Sequence, residues 1–244
     1  MIDSVKKEFQ QHKPLLVVLT FTVLLSYSVY VFMSEEMVSK MGDEDGLFEY
    51  FTAIFFLAAC LVFGRIFFRT RKIFFLLLSI VLFVGFGEEI SWGQRIFGFG
   101  TPDYLMQHNV QGETTLHNIE ILNSNDFDST LKTGWRKMIT VDFLYKLFCV
   151  SFGGLLPLMV YYIGFIRNLT LKISLPIPPF LLGLFFVINW LVFKLMLTLF
   201  LPSGRSLQYY DSVGEISEFV SAVVFFVITL AFYKTERVKV VLSK

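Results

Sequence analysis

Two adjacent glutamates, Glu88 and Glu89, stand at the end of an apolar run, followed by Ser91, Gln94 and Arg95 in the stretch GEEISWGQR. A charged side chain at membrane depth costs about 3 kcal/mol or more unless it is paired or faces a polar cavity. These residues therefore need compensating partners, and function is the usual reason to keep them. Glu113 and His117 follow in ETTLHN. On a helix, that i, i+4 spacing sets a carboxylate beside an imidazole, which can co-ligate a divalent metal such as zinc or orient the histidine as a base. Glu215 and Glu218 form a third acidic group near the carboxyl end. The candidate catalytic residues are Glu88, Glu89, Arg95 and His117. Those with metal-ligand character are Glu89, Glu113, His117, Glu215 and Glu218. Each has a plainer alternative: a salt-bridged helix end for 88–95, a solvated first turn for 113–117, and macrodipole matching for 215–218.

The elements that must position these groups are transmembrane helices. The chain has 244 residues, 55% hydrophobic, with 30 Phe and a mean hydropathy of +0.65. A soluble domain of this length cannot hide that much apolar surface. The spacing of apolar runs predicts an all-α, polytopic membrane helix bundle of one domain, residues 1–244. About six spans are expected, near 14–33, 47–68, 73–97, 142–166, 179–201 and 213–233. Pro14 suits a first helical turn. Only about 15 residues separate Ile73 from Glu88, roughly 22 Å of helix, so the third helix is expected to continue through EEISWGQR to Phe97. Glu88, Ser91, Trp92 and Arg95 would then share one face, and Gly85 and Gly87 would admit a neighbouring helix.

A long connection joins spans three and four. Within it, Thr114 and Thr115 are expected to cap a short helix TLHNIEIL, and Asp128, Ser129 and Thr130 a second, LKTGWRKMI. Trp92, Trp135, Tyr209 and Tyr210 fit an interfacial aromatic belt. His108 is expected to be a solvated loop residue, and His12 a solvated residue of the leader. Lysines and arginines at 6, 7, 13, 69, 71, 72, 167, 172, 234, 237, 239 and 244 fall on one side of this topology, which puts both termini in the cytoplasm. The unusual polar groups then collect at the outer ends. Glu44, Asp45 and Glu49 introduce span two, Glu88, Glu89, Gln94 and Arg95 end span three, and Asp211, Glu215 and Glu218 introduce span six. Three carboxylate pairs at one depth would surround an outward-facing pocket.

Net charge of +1 gives no field for nucleic acid. Cys60 and Cys149 read as small buried hydrophobes. The chain contains no GxSxG, Walker loop, HExxH, CxxC or dinucleotide fingerprint.

The run GEEISWGQRIFG, with TP a few residues on and then NVQGETTLHN, resembles an uncharacterised family of polytopic bacterial membrane proteins, and EDGLFEYFTA fits the same family. The likeness covers about the first half of the chain. It implies a bacterial inner-membrane protein and carries over no activity. A more distant similarity is to CAAX-type intramembrane proteases, whose EExxxR motif and later histidines build a membrane-buried site. Here the spacing is EExxxxxR, and the FxxxH and HxxxN/D elements of that family are absent.

The leading expectation is a membrane-embedded, metal-dependent hydrolase or transferase acting on a lipid or lipid-linked substrate at the outer leaflet. Two alternatives stand beside it: a proton- or cation-coupled transporter, and a non-catalytic membrane subunit or assembly factor. The bilayer is the expected partner. Oligomeric state is left open.

Overall fold

Helices account for nearly all the regular structure in the computed structural model, which describes residues 2–42, 46–128, 130–200 and 207–242. Glu44, Asp45 and Ser129 lie outside the described residues, as do the side chains of Tyr210 and Asp211. Helix α1 spans Ile2–Phe32 and carries Pro14 in its interior, not in its first turn. The turns before the proline are held by the bundle. Glu8 accepts a hydrogen bond from the Leu181 amide at 2.6 Å, and His12, expected in solvent, is buried. Helix α2, Glu35–Met41, is capped by Ser34. Helix α3, Leu47–Thr70, ends on Arg71 in the left-handed region, and a tight turn leads into α4, Ile73–Glu89.

The third hydrophobic helix does not run on to Phe97. The chain breaks at Ser91–Gly93 and resumes as α5, Gln94–Phe97, bent by 68° from α4. The connection beyond it holds two short helices, α6 (Asp103–His108) and α7 (Gly134–Met138, capped at Thr133). The expected helix at 115–122 is absent, and the segment is a series of turns. Its backbone is tied instead by an Asn109–Ile119 bridge and by buried Lys132, which donates to the carbonyls of Glu120 and Asn123. These side-chain and cross-chain bonds satisfy the peptide groups that a helix would have paired within itself.

The fourth span is α8 (Val141–Val150), a π-helical turn at Ser151–Leu155, and α9 (Leu156–Tyr162). It ends at Ile163, where α10 (Gly164–Lys172) begins. Helices α11 (Phe180–Phe200) and α12 (Leu207–Leu242) complete the chain. Among the described residues, five helices are long and apolar enough to cross a membrane, and the bent α4–α5 pair makes six if counted as one span. The protein is an all-α, multi-pass membrane bundle.

Helix α12 lies at its centre: 67% of its apolar stretch is buried, against 28–39% in the other four long spans. Phe225 is the point where the helices meet. Its ring packs against Phe56 of α3, Tyr145 and Phe148 of α8, Phe152 of the π turn and Phe186 of α11. The π turn also brings Gly153 against Gly183 of α11. A Cβ on Gly153 would stand 2.6 Å from the Gly183 carbonyl oxygen, so only glycine permits the approach. One polar tie crosses this core. Buried Asn189 of α11 accepts from the Tyr27 hydroxyl at 2.8 Å and donates to the Ser217 carbonyl and the Ser221 hydroxyl of α12.

Truncation at the centre should therefore be costly. Phe225→Ala is expected to lower stability by about 3 kcal/mol, and Gly183→Val to prevent native packing, both read from unfolding midpoints in mixed micelles. A Phe225→Ala midpoint equal to wild type would contradict this view of the core.

Candidate functional site

The break after Glu89 is built from three consecutive left-handed residues, Ser91 (φ 45°), Trp92 (φ 52°) and Gly93 (φ 82°). Serine and tryptophan adopt that conformation at roughly 1–2 kcal/mol each, so side-chain contacts must hold them there. The Ser91 hydroxyl donates to Glu113 at 3.0 Å, and the Trp92 indole N–H donates to Glu88 Oε1 at 2.7 Å. The indole lies over Gly87, where a Cβ would come within 2.8 Å of the ring. Of the two glycines expected to admit a neighbouring helix, Gly85 does so, facing Phe56 of α3, whereas Gly87 seats the chain's own tryptophan.

Nearly every polar residue of GEEISWGQR and NVQGETTLHN enters one network. Glu88 Oε2 accepts from the amides of Leu116 (2.7 Å) and His117 (2.9 Å) and lies 3.1 Å from His117 Nδ1. Glu113 forms an ion pair with Arg95. Gln94 accepts from the Thr114 amide at 2.7 Å and donates to Thr101, whose hydroxyl donates to the Gly112 carbonyl. Asn109 accepts from the amides of Gln111 and Glu113 and donates to the carbonyls of Glu113 and Thr115. The 109–118 loop is thereby fastened over the end of α4. Burial opposes a proton on His117, but the hydrogen bond and charge of Glu88, aided by Glu218 and Glu113, outweigh it and raise the imidazole above its ordinary pKa.

Glu89 points the other way, into the bundle. Among the described residues its carboxylate makes no hydrogen bond, and its electrostatic neighbours are Glu218 and Glu215 of α12, Glu49 of α3 and the adjacent Glu88. Glu89 thus feels the charges of acidic groups on two other helices, Glu218 most strongly. Glu218 in turn interacts with His117 and with Asp142 and Lys146 of α8, which pair at 3.0 Å. It also lines a narrow cleft between α8, α11 and α12, together with Tyr145, Lys146, Cys149 and Trp190.

The candidate residues thus separate into two sets. Glu88, Glu113, Arg95 and His117 belong to the loop network, while Glu89, Glu215 and Glu218 belong to the inner cluster. Glu113 and His117 are not one helical turn apart, because the segment is not helical. Among the described residues no three His, Cys, Asp or Glu side chains stand close enough together to hold a metal ion. His108 is exposed and stacks on Tyr104. Tyr209, expected in the aromatic belt, is buried edge-on against Tyr30, whereas Trp135 is exposed. Sequence reasoning missed Asp142, Tyr145 and Lys146. They sit within an ordinary amphipathic turn at the start of a span, and only the fold shows that this turn faces Glu218. Comparison with protein-family models, curated proteins and solved structures returns no match.

The His117–Glu88 contact makes a titration prediction. A raised histidine pKa means the contact is fully stabilising below about pH 6.5 and is lost as pH rises through the folded value. The gain should stay under about 1 kcal/mol, because the imidazole is 39% exposed and solvent screens the pair. Glu88→Gln should lower the His117 midpoint followed by NMR of labelled imidazole. A midpoint unmoved by the substitution would refute the coupling.

Proposed function

We propose that this protein is a membrane-embedded hydrolase or transferase acting on a lipid or lipid-linked substrate, with the Glu89–Glu218 pair as its acid–base group. The observation that carries this reading is buried Glu89 lying in the field of Glu218, Glu215 and Glu49 on two neighbouring helices, with Glu218 also lining a lateral cleft. One carboxylate of such a pair can take a proton from the attacking group while the other returns one to the leaving group. Glu88, His117, Glu113 and Arg95 act as positioning residues in this scheme, since their polar atoms are engaged in holding the loop over the pair. Tyr145 adds a buried hydroxyl at the cleft, beside Ser221 and Cys149, suited to a polar substrate atom. The accompanying setting is a bacterial inner membrane with the cluster on the outer side. Its support is the sequence resemblance and the gathering of basic residues such as Lys72, Arg167 and Lys172 at the other end of the bundle.

A second reading has an observation of its own. A helix broken beside a membrane carboxylate is also how cation-coupled carriers build ion sites, and the α4 break lies directly after Glu89. In that case the cluster would carry a proton or cation across the bilayer.

Reconstitution in vesicles of bacterial lipid extract tests both. Wild type should convert a lipid species detectable by mass spectrometry, and Glu89→Gln and Glu218→Gln should each slow conversion by about 100-fold or more while remaining folded. Undiminished conversion in both variants would remove the acid–base assignment. Gradient-driven proton or cation flux without any lipid product would replace the enzyme reading by the carrier one.

A further inference from the structure

A second cavity, of about 560 Å³, opens at the end of the bundle opposite the carboxylates. It lies between α1, α10, the 174–179 turn, the last turns of α12 and the start of α4. Its lining carries accessible apolar side chains, Val160, Leu171, Leu175 and Ile177, besides the buried Phe75 and Phe232. Its rim is basic, with Lys7 from α1, Lys72 from the turn before α4 and Arg167 from α10.

The charges on this rim are unequal. Glu236 pairs with Lys72 at 2.7 Å, and Glu8 accepts the Leu181 amide at 2.6 Å. Both carboxylates of the cavity are therefore engaged. Among the described residues Lys7 and Arg167 form no ion pair, and both are exposed. Buried His12 sits between them and the core, with Lys234 as its electrostatic neighbour. The cavity thus joins an apolar wall to two cations that make no ion pair among the described residues, at the level where spanning helices end. A soluble anion would use the cations and leave the wall unused. A neutral lipid would use the wall and leave the cations unused.

We infer that this cavity is a binding site for an anionic phospholipid, its phosphate between Lys7 and Arg167 and an acyl chain against Leu171, Leu175 and Ile177. The inference is independent of the enzymatic reading, since it involves none of the carboxylate residues. Basic pockets between helices at the inner face are a recurrent mode of anionic-lipid recognition.

Native mass spectrometry of the full chain, titrated with phosphatidylglycerol and with phosphatidylcholine, tests it. Wild type is expected to bind phosphatidylglycerol in preference, at a stoichiometry of one for the tightest site. Lys7→Ala combined with Arg167→Ala should weaken that binding by roughly 30-fold, from about 5-fold per cation. Lys172→Ala, a cation at the same end but off the cavity, should leave it unchanged, and matching thermal unfolding curves would show all forms folded. Equal affinity for the two lipids in wild type would overturn the inference. So would unchanged binding in the double variant, or displacement of phosphatidylglycerol by millimolar inorganic phosphate.

Discussion

Glu88 is the residue on which the end of the bundle around the helix break depends. One carboxylate oxygen fixes the tryptophan that stabilises the helix break, and the other accepts two consecutive backbone amides of the 109–118 loop. Without those bonds, Ser91 and Trp92 would have little reason to stay in a strained conformation, and two amides of the loop would lose their acceptor. The break has a directional effect. It turns the chain by 68° directly after Glu89, which lets the following loop fold back over the end of α4. Glu88 and Glu89 both lie inside α4, about 100° apart around its axis. Glu88 therefore serves the loop and Glu89 the interior.

The bundle behind this arrangement resembles a spindle around α12. Phe225 gathers rings from α3, α8 and α11, and the glycine contact at the π turn draws α8 and α11 together. Such packing suits a membrane, where hydrophobic driving force between helices is missing and close van der Waals contact must supply cohesion. It also explains how α12 can carry Glu215 and Glu218. The most enclosed helix offers the site in which charge is screened least by water and answers most strongly to nearby groups.

Much of this architecture could be read from the residues. The all-α bundle and the number of its spans follow from the hydropathy and length of the apolar runs. The failures share a cause. The helix expected at 73–97 and the short helix expected at 115–122 were inferred from local periodicity, and in both places side chains distant in sequence prevail. Glu113, 22 residues away, holds Ser91 through a hydrogen bond, and Asn109 and Lys132 divert the peptide groups of the loop. Pro14 misled for the same reason. A proline marks a favourable helix start, but tertiary anchors at Glu8 and His12 carry the helix past it. Asp142 and Lys146 gave no signal at all, because an i, i+4 ion pair is ordinary and only its orientation toward Glu218 gives it meaning.

The central position of α12 bears on the order in which the protein can be made. It leaves the ribosome after the other described spans, yet those helices pack around it. During synthesis, α3 and α4 must wait in the bilayer without their central packing partner until more than a hundred further residues have been added, several seconds or more at about 5–20 residues per second. Over that interval the partly made bundle presents unburied carboxylates and a groove where α12 will lie. Those are features by which membrane quality control can tell an unfinished chain from a finished one.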